Sequence, residues 1–175
     1  PALNQGDVPA AAAPLFEVGG TLKLIDLVVS TASATSGGAV RVQGTGSSFQ
    51  ALRVRFASCE SAEAGGAVYA GSGASLSLDD SSFTSCKSTL SGGAVAVEGP
   101  NTRSNFNGLT FLQCSSSSSG GAIALSGGAQ AESSGGGISC VECTATQVGG
   151  SLSLSGPVTS LAALSGSPLS FIGSS

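Results

Sequence analysis

Apolar residues in this chain alternate with small or polar ones, and the alternation keeps returning. It follows a pair of glycines in Ala39-Val40-Arg41-Val42, Ala94-Val95-Ala96-Val97, Ala122-Ile123-Ala124-Leu125 and Ser151-Leu152-Ser153-Leu154. It appears again in Leu52-Arg53-Val54-Arg55-Phe56, Leu109-Thr110-Phe111 and Leu169-Ser170-Phe171, and in the short run Leu76-Ser77-Leu78. Period two is the mark of a strand that buries one face. No helix-length window carries apolar residues at i, i+3, i+4 and i+7, and Gly and Ser interrupt the chain in a way that suits turns.

The alternation is carried by a repeat. The glycine pairs begin at Gly37, Gly65, Gly92, Gly120 and Gly149, in steps of 28, 27, 28 and 29 residues. Phe56-Ala57-Ser58-Cys59, Phe83-Thr84-Ser85-Cys86 and Phe111-Leu112-Gln113-Cys114 each end six residues before the next pair. Counting by the period, the cysteine position reads Thr31, Cys59, Cys86, Cys114, Cys143, Ser174. The phenylalanine position reads Val28, Phe56, Phe83, Phe111, Cys140, Phe171. A fixed period of this length means a solenoid in which each unit buries its apolar face on its neighbours. Two or three short strands per 27–29 residues predict an all-β, right-handed parallel β-helix of five to six coils, with equivalent strands about 4.8 Å apart. Residues 1–18, with Pro1, Pro9 and Pro14, are expected to form an arm or cap, and 19–175 the β-helix. Gly19-Gly20-Thr21-Leu22 reads either as a shortened first coil or as the middle strand of a coil that starts earlier.

Composition sharpens this picture. Of 175 residues 41% are apolar, only 9% are charged, and 27 are glycine. Low charge with long serine runs resembles disorder, but disordered tracts have no reason to hold Leu, Val and Phe in register. The net charge is −4 with six Lys and Arg, which argues against nucleic acid as a partner. No run of 18 apolar residues predicts a transmembrane helix, and no Asn-x-Ser/Thr sequon occurs.

The pairing of GGA[Ile/Val/Leu] with Phe-x-x-Cys resembles the GGA[Ile/Leu/Val] and Phe-x-x-Asn repeat of the chlamydial polymorphic outer membrane proteins. The likeness spans about residues 28–175, with Cys where that family has Asn. It implies a right-handed β-helix of the pectin-lyase type, a cell-surface location and an adhesive or structural role. The family's side-chain amide ladder and its C-terminal membrane barrel have no counterpart in these residues.

Candidate chemistry is sparse. Cys59, Cys86, Cys114 and Cys143 should stack, either as a column of small inward residues or as coil-to-coil disulfides. Directly stacked Cβ atoms sit slightly too far apart for the latter. Cys140-Val141-Glu142-Cys143 lacks the helix start that redox catalysis would want. With no histidine in the chain, neither a zinc site nor a Ser-His-Asp set is expected. Asp79-Asp80 is the one adjacent carboxylate pair and reads as a solvated turn. Arg53 and Arg55, beside Arg41, could form a small basic spot. The outward residues of the GGA strands, Ala39/Arg41, Ala67/Tyr69, Ala94/Ala96, Ala122/Ala124 and Ser151/Ser153, should form a flat strip of Ala and Ser.

The residues expected to matter are thus structural: Cys59, Cys86, Cys114, Cys143, Phe56, Phe83, Phe111, Gly37, Gly65, Gly92, Gly120 and Gly149. No catalytic residue, cofactor or metal ligand is assigned. The expected function is a non-enzymatic, extracellular or cell-surface β-helix module that associates with itself or with further chain end to end. The rival readings are an adhesin for glycan or a surface protein, and a carbohydrate-active enzyme.

Overall fold

The computed structural model describes residues 13–164, 166 and 168–175. Part of the expected arm, residues 1–12, lies outside the described residues. The chain forms a parallel β-solenoid of about six turns, and no helix occurs among the described residues. Every strand pairing is parallel, between equivalent segments of successive coils.

Three sheets line the solenoid. The first holds the strands after the glycine pairs: Phe16–Val18, Val40–Gln43, Val68–Gly71, Val95–Glu98, Ile123–Ser126 and Leu152–Ser155. The solenoid therefore begins by Phe16, three residues before the expected boundary at 19, because Phe16–Val18 pairs with Val40–Val42. The second sheet combines two ladders, one through Thr21–Ile25, Ser48–Leu52 and Ser75–Asp79, the other through Val28–Ser30, Arg55–Ala57 and Ser82–Thr84. The long strands Arg103–Leu112 and Gln130–Val141 join them. Thr21–Ile25 is the middle strand of a coil, the second of the two readings its sequence allowed. The third sheet is narrow, built from the residue pairs Ser33–Ala34, Glu60–Ser61, Lys87–Ser88, Ser115–Ser116 and Thr144–Ala145.

Inward columns fill the interior. Val40, Val68, Val95, Ile123 and Leu152 are in register, and all but the half-buried Leu152 are fully buried. Phe56, Phe83 and Phe111 stack with ring centroids 4.9 and 4.8 Å apart and planes within 9°. Parallel rings at this spacing are offset-stacked, an arrangement aromatic quadrupoles favour, and the coil translation repeats it. Between these columns, large and small residues trade places. Phe49 and Ala51 share one coil, Leu76 and Leu78 the next, Ser104 and Phe106 the one after, in registered columns. The coil's volume stays roughly constant while individual positions vary, as a close-packed interior requires.

The N-terminal coil corrects the periodic count. Val29, not Val28, pairs with Phe56. Ser33 pairs with Glu60, so Ala32, not Thr31, lies opposite Cys59. The step here is 27 residues rather than 28, and Val28 points outward, 65% exposed. At the other end Phe171 pairs with Cys140, which leaves Ser174 opposite Cys143 as counted.

The two glycines of each pair do different work. The first is left-handed, as at Gly92 with φ 64°. The second is packed against backbone: a Cβ on Gly93 would collide with the carbonyl oxygens of Gly121 and Ser115 in the next coil. Glycine is required there by space, not only by torsion.

Replacing Phe83 by Ala should cost about 3–5 kcal/mol of unfolding free energy, as buried aromatic truncations do. Gly93→Ala should cost at least about 1–3 kcal/mol through forced overpacking. Gly20→Ala, where a Cβ meets nothing within 4 Å, should stay within about 0.5 kcal/mol of the parent. Denaturant melts of the three variants check the order.

Candidate functional site

The most regular chemical feature is the thiol column. Each cysteine follows a residue in the left-handed region: Ser58, Ser85, Gln113 and Glu142 have φ of 51–53°. That corner turns the chain sharply and aims the next side chain inward. The ladder runs unbroken through it, since the amides of Ser58, Ser85, Gln113 and Glu142 donate to Thr84, Leu112, Val141 and Ile172 in the following coil. Cys59, Cys86, Cys114 and Cys143 are fully buried. Their Sγ atoms take equivalent places: Cys59, Cys86 and Cys114 approach the carbonyls of Val29, Phe56 and Phe83 one coil back, at 3.9, 3.8 and 3.5 Å. All four approach the carbonyl two residues earlier at 3.6–3.7 Å.

The five cysteines are free thiols. The neighbouring thiols and burial push Cys59, Cys114 and Cys140 above the ordinary thiol range. The thiol neighbours Cys114 and Cys59 hold Cys86 low, and Cys114 and Cys140 hold Cys143 low. Charge in the column, wherever it forms, belongs first to these two sulfurs. Cys140 stands in the phenylalanine column rather than the cysteine column. Among the described residues no group of three His, Cys, Asp or Glu is placed to hold a metal ion.

A second ladder beside the thiols was missed from sequence. Ser61, Ser88 and Ser116 follow their cysteines by two, face inward in register, and are each 94% buried. Their hydroxyls have no hydrogen-bond partner among the described residues. The Cys-x-Ser spacing was legible; its burial was not, because serine is ordinarily a surface residue.

The other expected residues are dispersed. Arg53 sits at a left-handed corner and binds Asp26 with two hydrogen bonds, 2.6 and 2.8 Å. The pair lowers the carboxyl of Asp26 and raises the guanidinium of Arg53. Arg41 lies 3.9 Å from Glu17, so the three arginines do not form a free basic spot. Asp79 accepts hydrogen bonds from Ser77 and Asn107 at 2.9 and 3.2 Å, while Asp80 occupies the corner with φ 46°.

The expected exposed alanine strip is not there. Ala39, Ala67, Ala94 and Ala122 are buried members of the core, and Ala96, Ala124, Ser151 and Ser153 are at most 6% exposed. Strict alternation fails at the corner after the glycine pair. The amides of Ala39 and Val40 both donate to the carbonyl of Ala67, and Ala67/Val68 and Ala94/Val95 repeat this one coil on. That extra residue lets consecutive side chains both reach the core. On the same sheet Tyr69 donates to Glu98 at 3.0 Å. Burial first and the Glu98 charge second push its phenol up to about 12.

Besides a groove of about 350 Å³ beside Pro100, Asn101, Gly127 and Pro157, two grooves run along the surface of the described residues. One, of about 260 Å³, is lined by Ser75, Arg103, Asn105, Gln130 and Glu132 on the second sheet. The other, of about 400 Å³, lies along the third sheet beside Glu60, Lys87, Thr89, Ser115, Thr144 and Thr146. At the last coil an apolar hollow of about 290 Å³ opens between Gly149, Gly150, Leu152, Phe171 and Ser174.

Comparison with protein families, with curated proteins and with solved structures found no match to this chain.

Alkylation under denaturing, non-reducing conditions should count five free thiols; four fewer would establish a disulfide ladder. Glu98→Gln should bring the phenol of Tyr69 down from about 12 toward its ordinary value, read by alkaline titration of the single tyrosine. Because the folded value lies above the model-peptide value of 10.0, the stability this group contributes is present below about pH 10 and lost as pH rises toward 12.

Proposed function

We propose that this chain is a non-enzymatic β-helix module of an extracellular or cell-surface structure, and that its open end is covered by a stacked copy of itself or by further chain. The observation that carries the reading is the state of the last coil. Phe171 and Ile172 in the last coil are 45% and 58% exposed, and Leu154 is 44% exposed. In the first, the inward Phe16 and Leu22 are half-buried, while Val18, Leu24 and Val29 are at most 8% exposed. The outer edges of Leu152–Ser155, Ser160–Ala163 and Leu169–Ile172 have no partner strand among the described residues. Open edges of this kind template further pairing.

The two ends are matched in cross-section. The columns that finish in Leu152, Leu161 and Phe171 begin at Phe16, Leu22 and Val29. A second copy translated by one coil would place an apolar residue on each. Such a head-to-tail contact is heterologous and propagates unless it closes, and a chain with 9% charged residues offers little repulsion against it. The likeness of the GGA and Phe-x-x-Cys repeat to the polymorphic outer membrane protein repeat supports a surface location and a structural or adhesive role.

One observation favours a second reading, an adhesin. The groove of about 260 Å³ on the second sheet places Arg103, Asn105, Gln130 and Glu132 side by side, a set of donors and acceptors suited to sugar hydroxyls. Glycan-array binding that Arg103→Ala and Gln130→Ala abolish would select it.

Multi-angle light scattering with electron microscopy should show concentration-dependent linear species. Phe171→Lys, which puts a charge on the exposed end without touching the inner coils, should reduce them to monomer. A monodisperse parent monomer at all concentrations would overturn the stacking proposal.

A further inference from the structure

We propose that the thiol column is a binding site for soft, two-coordinate monovalent metal ions, with Cu(I) as the representative. The reason is a match of lengths. The stacked phenylalanine rings measure the coil translation at 4.8–4.9 Å. The sulfurs of Cys59, Cys86 and Cys114 hold equivalent places against equivalent carbonyls, so they repeat at that translation. Half of 4.8 Å is 2.4 Å, close to the length of a metal–thiolate bond, about 2.3 Å for zinc. An ion midway between two stacked sulfurs therefore sits at bonding distance from both, collinear with them.

The same geometry selects the ion. Zinc in a structural site takes four ligands in a tetrahedron, and among the described residues no three ligating side chains are placed to hold an ion. Thiolate ligands favour Cu(I) among the common metals, and Cu(I) accepts linear two-coordination. A disulfide needs Cβ atoms about 3.5–4.5 Å apart, closer than the coil translation. The translation thus strains a disulfide and suits a metal bridge.

The occupancy follows from bond angles at sulfur. One sulfur cannot hold two collinear metal bonds, so each cysteine serves a single ion. Four thiols bind two ions, one between Cys59 and Cys86, the other between Cys114 and Cys143. At each site two S–H bonds break, two Cu–S bonds form, two protons leave to solvent, and the site takes one negative charge.

The test is an anaerobic titration of the reduced chain with Cu(I) against bicinchoninate as competitor. The expected result is two ions per chain, two protons released and two alkylatable thiols lost per ion, with a near-ultraviolet thiolate-to-copper band and a raised melting temperature. Cys86→Ala and Cys114→Ala should each leave one ion, the double variant none, and Cys140→Ala two. X-ray absorption on the parent protein, which needs no variant to fold, should find two sulfur neighbours in line. Failure of the parent to retain Cu(I), uptake unchanged in the double variant, or three sulfur neighbours would each overturn the proposal.

Discussion

Everything in this molecule answers to one length, the separation of hydrogen-bonded parallel strands, about 4.8 Å. A side chain in a parallel solenoid meets its own equivalent one coil above and one below, so each position must tolerate a near-copy of itself at that distance. Flat aromatic rings can do this, and Phe56, Phe83 and Phe111 do it at 4.8–4.9 Å. Small residues can do it, as the buried alanines after each glycine pair show. Where one coil places a large residue out of line, the coil compensates two positions away, as Phe49 with Ala51 and Ser104 with Phe106 do.

The corners obey the same rule through the backbone. The left-handed position before each member of the cysteine column, Ala32 and Ser174 included, is held by Thr31, Ser58, Ser85, Gln113, Glu142 and Gly173 in turn. A left-handed torsion costs a residue with a Cβ roughly 1–2 kcal/mol. It is sustained because its amide still reaches the carbonyl of the next coil, and breaking the column would orphan that ladder. Hydrogen bonding between coils, not the residue's own preference, decides the corner. Where the corner also leaves no room, as at Gly93, identity is fixed too.

This explains why surface chemistry is thin while interior chemistry is regular. Outward residues are free to vary, so Arg41, Arg53 and Arg55 end in separate environments, two of them beside the carboxylates of Glu17 and Asp26. Inward residues are copied, so four thiols and three hydroxyls become ladders. The translation that stacks the core also sets the spacing of any chemistry within it, and it leaves the end coils with apolar side chains exposed.

The repeat by itself determined the architecture. Period-two alternation, the glycine pairs and the phenylalanine and cysteine spacing were enough for an all-β parallel solenoid and for the inner columns, because equal spacing along the chain becomes stacking once coils repeat. Counting could not settle the first coil, where one residue fewer puts Val29 and Ala32 in the columns instead of Val28 and Thr31. Nor could it see that Ala39 and Val40 share one acceptor, which turned an expected surface strip into core. The left-handed corners at Ser58, Gln113 and Glu142 carry no signature, since those residue types do not prefer that torsion. Sequence spacing says which residues are equivalent; only the hydrogen bonding of one coil to the next decides which way each of them points.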